Sequence, residues 1–426
     1  MPRRFALAAS ALALSSLTWL ACSSDDAASS SSSSGGAADG GGSTSSSGST
    51  SSSSSGSSGD AGRPTCHATP IAEGAPRTVV ISHPSDAKGG KDVRYERLEL
   101  APNGALTRPG VLFSMGRNFD RDIVFTPDGV IGLSAQDDGT IGVFRVEADG
   151  KVTVVDAAWK GKGYVERVVM GKDGARAFVL DMNTKGNGGG VYEVAIGCDG
   201  KLEDRGQVLA GDNPTALAWL PNEVALVTGK TLGASAPADD LHLLDLAPSP
   251  GKRVGGGAAF TDKDAIASSV AVSPDGKLAV VADNGIVVGS RLGLATLSGT
   301  GATRLATIAV KNPVSVAFSP FGNAAIVVGS DGEDAIYRAK YDPANATTPF
   351  VVDAAPIPYK FGKPQLPGAA HVVERGPLKG RVVLAEVSGI RQVSFTAAGA
   401  IEDALYTEIS KGDDLAGMVG TLGVVP

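Results

Sequence analysis

Basic residues are in the minority in this 426-residue chain, with 38 Lys and Arg against 45 Asp and Glu, a net charge of −7. With Arg3 and Arg4 of the leader removed the balance is 36 against 45, or −9. No basic stripe exists to displace phosphate counterions, which argues against nucleic acid as a partner. Cysteine is scarce, only Cys22, Cys66 and Cys198, with no C-x-x-C spacing, so neither a zinc site nor a thioredoxin-like motif has support. The four histidines, His67, His83, His242 and His371, have no partner at i+2 or i+4, and no contiguous metal motif is present. The nearest string to a nucleophile elbow, L-F-S-M-G at 112–116, places Leu112 where glycine must permit the sharp turn, which leaves Ser114 structural. Asp181-x-Asn183-x-Lys185 imitates half of a calcium loop, but Lys185 takes a ligand position and Tyr192 stands in place of the bidentate Glu. No cofactor is implied.

What is abundant is glycine, 57 residues of it, alongside Val and Ala, while aromatics make up only 5 %. Many short strands joined by many turns use residues in this ratio. The chain is not uniform. Met1–Cys22 has a basic start, an apolar run from Phe5 to Leu20 and a small residue before Cys22, the pattern of an export signal. The run falls short of the ~20 residues a membrane span needs. Its L-A-C ending resembles the bacterial lipobox, with Trp19 where that family prefers leucine. The resemblance implies that Cys22 is lipidated, attaching the chain to a bacterial membrane within the cell envelope. Residues 23–65 form a tether whose first forty positions are entirely Ser, Gly, Ala, Thr and Asp. Such a segment has too little apolar surface to offset the entropy of ordering and is expected to be disordered, spanning roughly 35 Å.

Residues 66–426 carry an internal repeat. An alternating apolar run, a tight turn and a second apolar run recur at 122–135, 166–181, 215–228, 268–283, 314–329 and, more loosely, 369–386. Turn glycines at 129, 174, 276 and 322 hold the register, with Glu223 in the same place in the third copy. Each copy continues into a second hairpin, as in 141–155 and 191–202, where D-G between apolar runs is a strong hairpin signal. Four strands at this spacing make a propeller blade. The segments 78–82, 93–100 and 106–113 read as a blade lacking its first strand, and 415–424 as a strand lacking a blade. Joining them predicts an all-β, seven-bladed propeller of four-stranded antiparallel blades, closed by its C-terminal strand with no open edge. The S-P-D-G-K-L-A-V-V-A-D line at 273–283 resembles the YVTN/lactonase-like propellers of bacterial envelopes. That resemblance speaks for fold and little for function.

Blade geometry then locates a candidate site. Short turns occupy one face; the longer stretches 83–91, 182–190, 229–240 and 353–367 occupy the other. That face also gathers Arg117, Asp120, Arg121, Glu166, Arg167, Asp212, Asn213, Asp264 and His371 around the channel mouth. Mixed arginines and carboxylates suit a small anionic or polyhydroxylated ligand. Arg121 and Arg167 stand at neighbouring strand heads and are expected to hold one carboxylate or phosphate jointly. The leading expectation is a non-enzymatic module binding an envelope protein, a glycan or a small polar ligand. The alternatives are a lactonase-like hydrolase and a scaffold of an envelope assembly complex. Finally, Cys198 sits in a short turn, and the 11 residues from Cys66 to Arg77 can reach roughly 36 Å. A Cys66–Cys198 disulfide is therefore expected, in keeping with an oxidising compartment.

Overall fold

The computed structural model describes residues 66–84, 95–118, 121–182, 189–211, 213–230, 240–261, 265, 267–284, 289–410 and 417–426. Cys22, the tether, Asp120, Asp212 and Asp264 lie outside the described residues. The described chain is almost wholly antiparallel β, with one short 3₁₀ turn at Gly376–Leu378. Its sheets are arranged as a propeller. Blade 1 is Arg77–Ser82, Tyr95–Leu100 and Leu106–Phe113, completed on the inside by Leu422–Val424 from the far end of the chain. Six further four-stranded units follow, with inner strands at Ile123–Phe125, Tyr164–Met170, Asn213–Trp219, Ala267–Val272, Pro313–Phe318 and Ala370–Val372.

The turns explain why the repeat is so regular. In blade 2, Thr126 Oγ1 donates to Asp128 Oδ1 at 2.7 Å, and the same oxygen accepts from Val130 N at 3.0 Å. Gly129 takes φ +72°, and Gly174, Gly276 and Gly322 fall at +67°, +73° and +83° in the equivalent turns. Glu223 fills the same place with φ +56°, a left-handed conformation that a side chain adopts only when its surroundings hold it there.

Each strand alternates its side chains between the two neighbouring blades, so the core is distributed as a ring of interfaces. Seven apolar clusters result among the described residues, one per adjacent pair. Tyr95, Phe113 and Phe144 join blades 1 and 2. Val143, Val165 and Tyr192 join blades 2 and 3, and Phe178, Leu180 and Val227 join blades 3 and 4. The last interface packs Val79, Ile81 and Leu98 of blade 1 against Val383 and Ile390 of blade 7, with Leu422 between them, and so closes the circle. A fully buried Val, Leu or Ile is worth ~1.5–3 kcal/mol, so the fold draws its stability from all seven seams.

One joint departs from the simple scheme. The outer strand of blade 4, Lys252–Gly257, pairs in parallel with the outer strand of blade 5, Gly301–Ala309, at Gly256↔Gly301 and Gly257↔Ala302. A Cβ at Gly255 or Gly257 would run into the carbonyls of Thr300 and Ala302, so the glycine run is what lets the two outer edges meet.

Polar contacts latch the closure. Ser82 N donates to Thr421 O and Gly420 N to Ser82 O, both at 3.0 Å. Buried Glu96 accepts from Arg108 Nε at 2.8 Å and Nη2 at 2.7 Å, while Arg108 Nη1 donates to Ile409 O of blade 7. On the short-turn face, residues 66–76 cross beneath the blades. Cys66 is disulfide-bonded to Cys198, as expected, His67 Nδ1 lies 2.8 Å from Asp128 Oδ2, and Ile71 N donates to Pro127 O.

Candidate functional site

Every inner strand runs from the long-loop face towards the short turns. In four successive blades the ladder skips one residue near the strand head: Glu166, Thr215, Ser268 and Val314. Such bulges re-aim the local backbone. Arg167 uses two of the carbonyls they turn. Its Nε donates to Thr215 O at 2.8 Å and its Nη2 to Ser268 O at 3.0 Å. Its Nη1 meets both carboxylate oxygens of Asp122, at 2.9 and 3.1 Å. One guanidinium on blade 3 thus ties together blades 2, 4 and 5.

Arg121 is buried beside it, with its Nη1 3.4 Å from Glu166 Oε2 and its Nε 3.6 Å from Asp137 Oδ1. Its guanidinium carbon lies 4.0 Å from the centre of the Tyr164 ring, a cation–π contact. Asn118 fixes the strand head from below, accepting from Arg121 N at 2.8 Å and donating to Arg121 O at 3.0 Å. The more exposed Arg117 donates to Asp137 Oδ2 at 2.7 Å. Asn213 is buried at the head of the blade 4 strand.

His371 lies on the short inner strand of blade 7, opposite Val383. Burial pushes its pKa below the ordinary 6.5; the Asp122 carboxylate opposes that shift and the Arg167 guanidinium adds to it. The His371 residue is half-buried. At neutral pH it is therefore largely uncharged, and able to accept a proton.

The expected site residues Arg121, Glu166, Arg167, Asn213 and His371 thus stand at or near the strand heads of the long-loop face. Arg121 with Glu166, and His371 with Arg167, are in electrostatic contact. Sequence reading passed over Asp122, Asp137, Asn118 and Tyr164. A signal for Asp122 was available: it stands seven residues before turn Gly129, the column that Arg167 occupies before Gly174. Adjacent blades carry opposite charges in that column. Asp181, weighed as a calcium ligand, is instead buried and accepts the backbone N–H groups of Lys162 and Gly163. No metal-ligating group of three occurs among the described residues.

The stretch 353–367 also differs from the expected free loop. It begins as strand through Pro356, and the rest is pinned. Lys360 N and Phe361 N donate to Asp403, and Leu366 N to Asp334. Buried Arg391 bridges Glu386 and Asp403 with its guanidinium between the rings of Tyr359 and Tyr406. A second concavity of about 430 Å³ lies on the short-turn face, lined by Ile71, Pro76, Arg97, Asp128, Arg145 and Val425. Its arginines face Glu99 and Glu147, and Asp128 faces His67, so its charges are matched internally.

Fold and site together define a propeller whose strand heads carry a cluster of arginines paired with carboxylates. Solved structures agree on the fold. The chain is similar to the periplasmic gluconolactonase of Pseudomonas aeruginosa, at 13 % identity and a TM-score of 0.58, over 83 % of this chain and 99 % of that one. It is similar also to a Bacteroides uniformis protein with a provisional 6-phosphogluconolactonase assignment, at 12 % identity and a TM-score of 0.60, over 82 % and 99 % of the two chains. A functionally unknown protein of Desulfotomaculum acetoxidans gives 13 % identity and a TM-score of 0.54, over 82 % and 98 %. No family model and no curated protein matches the sequence.

Proposed function

We propose that this chain is an exported propeller, anchored through lipid on Cys22, that hydrolyses a small lactone at its long-loop channel mouth. The observation that carries the reading is His371, a half-buried imidazole near Arg167 and Asp122 whose pKa burial lowers from the ordinary 6.5. Likeness of fold to a gluconolactonase favours this reading over the expected binding-only module. In the reaction, water attacks the lactone carbonyl and His371 accepts its proton. The ring C–O bond then breaks, and the proton passes to the departing alkoxide to give a hydroxy acid. Arg167 holds Asp122 near the imidazole and braces the strand heads of blades 4 and 5 around it. Asn213 and Glu166 stand at the neighbouring strand heads. Envelope localisation and the membrane as a partner rest on the signal pattern of Met1–Cys22.

The test is lactone hydrolysis followed by proton release over a panel of aldonolactones. His371→Asn is expected to lower kcat at least ~100-fold, within the range of general-base contributions, with an unchanged melting temperature. Activity should require the neutral imidazole, so its acid limb should fall below pH 6.5. An unchanged rate in the variant would refute the assignment. For the anchor, Cys22→Ser should move the protein from membrane pellet to soluble envelope fraction; continued pelleting would refute lipidation.

A further inference from the structure

Resting on that function, we infer that the site takes an uncharged polyhydroxy lactone, not a phosphorylated one, and repels the carboxylate it produces. Three guanidinium groups are described at the mouth, Arg117, Arg121 and Arg167, and each already faces a carboxylate: Asp137, Glu166 and Asp122. With His371 uncharged, these six described groups sum to zero, so none of the three arginines contributes an unmatched positive charge. Arg167 gives hydrogens to two carbonyls and both oxygens of Asp122, and one face of Arg121 is covered by Tyr164.

A phosphate dianion would have to break these pairs, leaving a displaced carboxylate partly buried beside Arg121 and Arg167, or else enter without a counter-charge. Either course is costly in a region of low dielectric. The field of the whole chain, −7 overall, opposes it as well. A neutral lactone carries no such penalty, and its hydroxyl groups can share hydrogen bonds with the outer oxygens of Asp137 and Glu166, whose side chains are 22 % and 31 % exposed. The same balance acts on the product. Hydrolysis converts the neutral ester and one water into a carboxylate and a proton, so the site that admits the substrate disfavours what leaves. Arg121 and Arg167 on this view frame the site, in place of jointly gripping an anion.

The experiment compares glucono-1,5-lactone with its 6-phosphate on the full-length protein, each corrected for spontaneous hydrolysis. Expected are a kcat/KM at least ~10-fold higher for the unphosphorylated lactone and little dependence of that value on ionic strength. Gluconate should inhibit only at concentrations above KM. Glu166→Gln, which leaves the mouth one unit more positive, should narrow the preference at least threefold without loss of folding. Equal or better use of the phosphate ester overturns this inference and leaves lactone hydrolysis standing. Inactivity towards both compounds, with neither raising the melting temperature, overturns the proposed function and this inference together.

Discussion

At the scale of single residues, Arg167 joins the site to the architecture. Its partners are the Asp122 side chain and the backbone of two blades beyond its own, and only 22 % of its side chain is exposed. Arg167→Ala should destabilise the protein by about 2–3 kcal/mol in urea unfolding, because it strands a half-buried carboxylate and two turned carbonyls. Asp122→Ala in the same chain should recover part of that loss; strictly additive effects would show that the pair is not coupled. The arginine itself was legible as a polar residue at a strand head. Its partners were not, because a bulge that redirects Thr215 O and Ser268 O leaves no mark on residue type. His371 was legible by position alone; its pKa is depressed chiefly by burial, and the charges that modify it, Asp122 against the shift and Arg167 with it, come from blades distant in sequence.

At the scale of elements, the repeat was readable because its turns demand particular residues. Glycine or a strained substitute must occupy the left-handed position, and Ser or Thr followed by Pro and Asp supplies the turn's own hydrogen bonds. Even Glu223, the one non-glycine in the column, was placed correctly by spacing. The parallel joint between blades 4 and 5 was hidden, since Gly255–Gly257 reads equally well as an ordinary turn. The segment 66–76 is the element whose expectation was most specific. Its disulfide spans 132 residues, and reduction should cost about 4 kcal/mol on a loop-entropy account. With a reductant present, the segment should also become an early site of limited proteolysis. Equal unfolding midpoints with and without reductant would contradict this.

At the scale of the whole molecule, seven apolar seams and one latch make a closed ring. The latch responds to acid through Glu96. Burial alone would raise the pKa of Glu96, but hydrogen bonds from His83 and Arg108 outweigh it and hold the carboxyl at about 2, against an ordinary 4.5. A carboxyl depressed in the folded state contributes stability that is complete above pH 4.5 and is lost as pH falls towards 2. Acid titration should therefore weaken the joint between blades 7 and 1, seen as exchange at the amides of residues 417–424 before global unfolding. Glu96→Gln should flatten that dependence, and an unaltered acid profile in the variant would remove Glu96 from the latch.

The pairing of Val79 with Val424 also bears on how the protein is made. During synthesis the first blade lacks its inner strand until the last residues of the chain emerge. A contact at such sequence separation forms late, and the ring seals only once residues 422–424 have emerged. The unfinished blade keeps an unpaired strand edge throughout that interval. A closed ring of this topology therefore stays open at one seam until residues 422–424 take their place against residues 79–81.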